Sequence, residues 1–166
     1  MEIINILIGN ICSLLGMFAD SLSSTRKTTK GVLLTQSLGQ LIYGIGTVVL
    51  KGYSGVVQNV VSIIRNFVAI KQVNNKFIEW SLVVAGVVFG IYFNNLGLIG
   101  YLPVISNLQY TLAVFKFKDN ERALKISFAV CVAMFAVFNL AIMNFVGVCS
   151  NLVVLVTTLV ILFKKK

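Results

Sequence analysis

Seven apolar runs, separated by short polar stretches, fill this chain almost from end to end. They lie at about 3–21, 31–50, 53–72, 77–94, 97–115, 123–141 and 143–163. Runs of about 18 or more apolar residues with few charges suit an α-helix crossing a hydrocarbon layer about 30 Å thick. The 166 residues are 58% hydrophobic and 11% charged, with a mean hydropathy of +0.94. That leaves too little polar surface for a water-soluble domain of this size. The sequence therefore predicts an all-α, polytopic protein of seven transmembrane helices, in contact with the lipid bilayer and with almost no mass outside it.

Composition also removes chemistries. There is no histidine, and the acids are Glu2, Asp20, Glu79, Asp119 and Glu121. Histidine-based catalysis is excluded, and a carboxylate-rich metal site is disfavoured. Cys12, Cys131 and Cys149 show no paired spacing and read as small apolar residues. "NNLGLIG" (94–100) has glycines only at Gly97 and Gly100, so no phosphate-cradling loop is present and ATP does not drive the protein directly. The expectation is a non-enzyme without cofactors. The opening "MEIINILIGNICSLLGMFAD" carries an acid where a signal peptide has basic residues, and reads as a retained first helix.

The net charge of +9 is organised by the loops. Arg26, Lys27 and Lys30 fall between runs one and two, and Lys71 and Lys76 between three and four. Lys116, Lys118, Arg122 and Lys125 fall between five and six, and Lys164, Lys165 and Lys166 follow run seven. With seven crossings all of these lie on one side, opposite Lys51. The positive-inside rule then puts the amino terminus outside and the carboxyl terminus in the cytoplasm. The basic charge is thus topological, with a secondary affinity for anionic lipid headgroups, and nucleic acid is not an expected partner.

A shift of 92 residues lays the first three runs on the last three. Gly55 falls on Gly147, Asn59 on Asn151 and Tyr53 on Phe145, while the basic loop 22–30 falls on 114–122. The organisation expected is a first three-helix repeat (1–72), a linker helix (73–96) and a second three-helix repeat (97–166). One intervening helix gives the two triples the same orientation, so they form parallel repeats about an axis along the membrane normal. Repeat-built transporters place their substrate site at the repeat interface near the midplane. Asn59 and Asn151, at similar depth, are candidate ligands for a neutral polar molecule, because an amide donates and accepts at once. The same amides could instead bond neighbouring helices, with Gly55 and Gly147 permitting close packing.

Arg65 lies inside the third run, where a charge is costly. It reads as a snorkelling anchor, or as a cytoplasmic-side gate or anion contact, with Asp20 the preferred partner and Glu79 the other. Asn66, the next residue, points elsewhere and is assigned no role. Gln36, Gln40 and Tyr43 stand at i, i+4 and i+7 on one face of the second run, a candidate cavity wall or polar helix contact. Asn10, Asn107, Gln109, Tyr110 and Asn139 are expected to point inward, and Trp80 to anchor at an interface.

"GYSGVVQNVVSIIRN" (52–66), with Gly52-Tyr53, Asn59 and Arg65-Asn66 in one helix, resembles the bacterial inner-membrane YgjV-like family. That resemblance covers mainly the first three runs and implies a bacterial inner-membrane location. The 3+1+3 plan resembles the SWEET sugar facilitators and PnuC-type vitamin transporters. The SWEET resemblance implies cavity roles for Asn59 and Asn151. The departures are Pro103 as the single proline, with Ile11 at the matching place in the first run, and no tryptophan-rich motif of the PnuC kind. The functional expectation is a facilitator of a small polar metabolite (a sugar, nucleoside or vitamin-like molecule) acting by downhill exchange. The rival is a non-transporting membrane receptor or a subunit of a membrane complex. A homo-oligomer is compatible with either.

Overall fold

The computed structural model describes residues 2–23, 29–71, 73, 75–116 and 121–164. The described residues are helical throughout, with no strand. The helices are α1 (Ile3–Ser23), α2 (Thr29–Val49), α3 (Tyr53–Ile70), α4 (Lys76–Tyr92), α5 (Leu102–Lys116), α6 (Glu121–Ala141) and α7 (Phe145–Lys164). A 3-10 turn (Ile99–Tyr101) leads into α5. Pro103 sits in the first turn of α5, where its missing N–H has no intrahelical acceptor to lose.

Each apolar run of the sequence corresponds to one helix, but two are shorter than expected. α4 has 17 residues and α5 has 15. At 1.5 Å per residue they reach only about 26 Å and about 23 Å. Among the described residues, no helix is long and apolar enough to cross a membrane.

Two tight turns give the bundle its register. Lys51 after α2 and Met143 after α6 both take the left-handed conformation, each with φ of 59°. At the first, the Gly52 N–H donates to Thr47 O at 2.9 Å and the Lys51 N–H to Val48 O at 2.9 Å. At the second, the Asn144 N–H donates to Asn139 O at 2.9 Å and the Met143 N–H to Leu140 O at 3.1 Å. Both are Schellman caps, which satisfy the last carbonyls of a helix and reverse the chain. Every residue in one turn stands 92 positions from its counterpart in the other, as do the ends of α2 and α6. An asparagine amide caps each left-handed residue in turn. Asn95 Nδ2 donates to Lys51 O at 2.7 Å, and Asn10 Nδ2 to Met143 O at 2.9 Å.

Consecutive helices pack pairwise, and α1 also packs on α7 and α3 on α5. Six helices thus close a ring in the order α1, α2, α3, α5, α6, α7. α4 lies across the seam between α3 and α5. At the turn end, Leu50, Phe138 and Ile142 form the buried core. The Phe138 ring, 1% exposed, lies against Gly52 and Gly55 of the α2–α3 hairpin. Outward faces of the helices carry large apolar side chains, among them Leu41 and Ile45 of α2, Val84 and Val88 of α4 and Val153 and Val156 of α7.

The seat of Phe138 makes a prediction. A Cβ at Gly55 would stand 2.7 Å from the Phe138 ring, whereas one at Gly86 would meet nothing nearer than 3.5 Å. Gly55→Leu should therefore lower the unfolding midpoint of the detergent-solubilised protein, by about 1–3 kcal/mol of overpacking. Gly86→Ala should leave it close to wild type. Equal midpoints for the two variants would show that the Phe138 seat does not organise the bundle.

Candidate functional site

Four helices meet around a cavity of about 320 Å³. α2 contributes Leu33 and Gln36, and α3 contributes Gln58, Val61, Arg65, Asn66 and Val68. α4 gives Glu79, Leu82, Val83, Gly86 and Val87, and α5 gives Val104, Asn107, Leu108, Tyr110 and Thr111. The lining repeats at helical spacing on each wall: 58, 61, 65 and 68 on α3, 79, 82, 83, 86 and 87 on α4, 104, 107, 108 and 111 on α5. α4 closes in because its facing positions are small. A Cβ at Gly90 would come within 2.6 Å of Gln58 Nε2 and 2.7 Å of Val104.

A directed chain of hydrogen bonds crosses the seam. The Arg65 Nη1 group donates to Asn107 Oδ1 and to Thr111 Oγ1, each at 3.4 Å. Asn107 Nδ2 donates to Gln58 Oε1 at 2.8 Å, and Gln58 Nε2 donates to Gly86 O at 2.8 Å. Each amide uses its oxygen on the Arg65 side and its NH₂ toward α4, so the dipoles align and reinforce one another. Gln58 is 2% exposed and Asn107 7%, so both would be costly without these partners. The Arg65 guanidinium also lies 6.0 Å from the centre of the Tyr110 ring, within cation–π range. On the α2 side, buried Asn66 donates to Ser37 Oγ at 3.3 Å.

The residues singled out from sequence divide. Gln36 and Arg65 line the cavity. Gln40 does not, and neither does Tyr43, whose ring packs against α1. A Cβ at Gly16 would lie 3.0 Å from that ring. The i, i+4, i+7 stripe therefore splits, because α2 is flanked by α1 on one side and by α3 on the other. Asn59 and Asn151 are partly buried and stand outside the cavity lining. Asn59 faces Gly44 of α2, at 3.7 Å from a Cβ placed there. Neither asparagine has a hydrogen-bond partner among the described residues. The side chain of Asp20 lies outside the described residues, as do Arg26, Lys27, Lys118, Lys165 and Lys166. Glu79, the other acid weighed for Arg65, lines the same cavity.

Asn66 is a correction. It lies next to Arg65 in sequence, about 100° round the helix, but the cavity is wide enough to take both. Gln58 and Thr111 were the residues that single-position reading passed over, while Asn107, expected to point inward, does so. Their signal was spacing: Gln58 and Arg65 at i, i+7 on α3, and Asn107 and Thr111 at i, i+4 on α5. Among the described residues, no cluster of acidic, histidine or cysteine side chains could hold a metal ion, and the cysteines are free.

These features define a helical-bundle protein with large apolar side chains on its outer faces and a chain of polar side chains buried at the α3–α5 seam. The chain belongs to the Imp-YgjV family, described as bacterial inner membrane protein, which matches residues 7–166. No curated protein and no solved structure matches it. The likeness of plan to SWEET and PnuC-type transporters therefore rests on the sequence pattern alone.

The hydrogen-bond chain can be tested by itself. A double-mutant cycle at Gln58 and Asn107 should return a coupling of about 0.6 kcal/mol, and no more than about 1.7, the range found for side-chain bonds between membrane helices. Additive losses would show that the two amides do not act on each other.

Proposed function

We propose that this protein is a facilitator of a small polar metabolite in the bacterial inner membrane, and that its site is the cavity between α2, α3, α4 and α5. One observation carries the reading: an otherwise apolar bundle keeps a cavity with a cation, an acid and several amides at the seam where α3 meets α5. About 320 Å³ is the lower end of the range for small-molecule sites. Polar groups at such a depth are costly to insert, which favours a role beyond packing.

In this reading the seven helices cross the membrane, with the amino end outside and the carboxyl end in the cytoplasm. The match to an inner-membrane family supports the setting, as do the large apolar side chains on the outer faces. The brevity of α4 and α5 is met by local thinning of the bilayer, at a cost of fractions of a kcal/mol per Å. α1–α3 and α5–α7 form the two triples, and α4 joins them. The 92-residue correspondence of the two Schellman turns supports that division. Asn59 and Asn151, paired by the same offset and without hydrogen-bond partners among the described residues, would be solvated groups nearer the bundle axis.

Two measurements test this. Val61 projects into the cavity, so Val61→Trp should abolish solute flux into proteoliposomes while the unfolding midpoint stays within a few degrees of wild type. Flux unchanged by the tryptophan would remove the cavity from the pathway. In cells, with Cys12, Cys131 and Cys149 replaced by Ala, Asn59→Cys and Asn151→Cys should both react with a water-soluble maleimide. Two unreactive, folded variants would favour packing roles for the asparagines and a receptor or complex subunit over a facilitator.

A further inference from the structure

Arg65 and Glu79 face one cavity, yet they do not pair with each other or with any other described charged group. The described bonds of Arg65 go to the neutral acceptors of Asn107 and Thr111, both long at 3.4 Å and both from Nη1. A guanidinium has five N–H donors, so the described bonds use only part of its capacity. Glu79 lies in the first turn of α4, half-buried, with no described partner. Two opposite charges on one small, largely aliphatic cavity would gain from contact, and here no salt bridge joins them.

Resting on the reading of this cavity as a ligand site, we infer that its ligand is a small zwitterion of the α-amino acid or betaine type. Its carboxylate meets Arg65, and its ammonium faces Glu79. The alternatives fit the charges less well. A neutral sugar leaves both ions uncompensated in a low-dielectric site. A monoanion satisfies Arg65 and sets a second negative charge before Glu79, and an amine does the reverse at Arg65. Only a molecule carrying both charges compensates both walls. The volume has room for on the order of ten water molecules, which suits a molecule of amino-acid size. Planar, bidentate recognition of a carboxylate is also what a guanidinium does best.

The test uses the full-length protein in detergent, thermal-shift and equilibrium binding, and a panel of the common α-amino acids, glycine betaine, acetate, lactate, ethanolamine and glucose. At least one zwitterion should raise the unfolding midpoint. For the tightest binder, the N-acetyl form (anion only) and the methyl ester (cation only) should each bind about tenfold more weakly or worse. Glu79→Gln should weaken the zwitterion by a similar factor and spare lactate, and Arg65→Gln should weaken zwitterion and lactate alike. The ligand-side comparison stands even if a variant fails to fold. Equal binding of the N-acetyl form would overturn the inference in favour of a monoanion site. A shift by glucose alone would overturn it while keeping the ligand site, and no shift by any zwitterion would overturn it outright. An amino acid that binds with this charge pattern but shows no flux in proteoliposomes would support the inference and remove facilitation.

Discussion

The contact on which the bundle depends is that of Phe138 with the backbone at Gly52 and Gly55. α6 belongs to the second half of the chain and the α2–α3 hairpin to the first, so this ring ties the halves together. It can do so only because two glycines leave the hairpin surface bare where the ring lies. The adjoining Leu50 and Ile142 are themselves 92 positions apart and each precedes a left-handed residue. The point where the halves lock is therefore also where their turns correspond. The short polar connections at this end follow from the same geometry. Asn95 and Asn10 each hold the carbonyl of one left-handed residue, and Asn10 Oδ1 also accepts from the Val146 N–H at 2.9 Å, capping α7.

Much of this was legible in the sequence, because two signals were strong. Apolar runs with polar breaks located the seven helices to within a few residues, since each break is a place where backbone groups need caps or water. The 92-residue offset was visible in Gly55 and Gly147 and in the charged loops. What the sequence did not reveal was which side of each helix meets which neighbour. Gln36, Gln40 and Tyr43 share a face, but that face looks toward two different helices along its length. Asn66 was set aside because it adjoins Arg65, yet a wide cavity admits side chains about 100° apart. Asn107 and Gln58 looked like two isolated amides in two runs, and only the packing of α5 on α3 makes them one hydrogen-bonded pair. Glu79 was visible as an acid on the right side of the chain. Its place on the wall that Arg65 shares depends on the approach of α4, which Gly90 permits.

The correspondence between the halves makes the difference between them informative. The positions matching Arg65, Asn66 and Gln58 in α7 are Thr157, Thr158 and Ser150. Those matching Asn107, Tyr110 and Thr111 in α1 are Leu15, Phe18 and Ala19. The backbone frame is repeated, but Arg65, Gln58 and Asn107 have no charged or amide residue at the matching positions. Thr157 and Thr158 turn their hydroxyls back to the carbonyls of Val153 and Val154 in their own helix, each at 2.8 Å, and so need no partner across the seam. The α1–α7 seam is held near the turns by Asn10. The α3–α5 seam instead carries a chain of hydrogen bonds through the bundle's depth.

α4 is the element without a counterpart, and it lies over the polar seam. This placement has a physical reason. A seam carrying an arginine and two buried amides is costly to leave beside an apolar face, because a buried donor without an acceptor loses its hydration with nothing in return. α4 covers it, accepts the last hydrogen bond of the chain at Gly86 O and adds Glu79 to the wall. Its outer face, with Val84, Val88 and Phe89 exposed, is as apolar as the ring it covers. Without α4 the polar cavity would have no fourth wall.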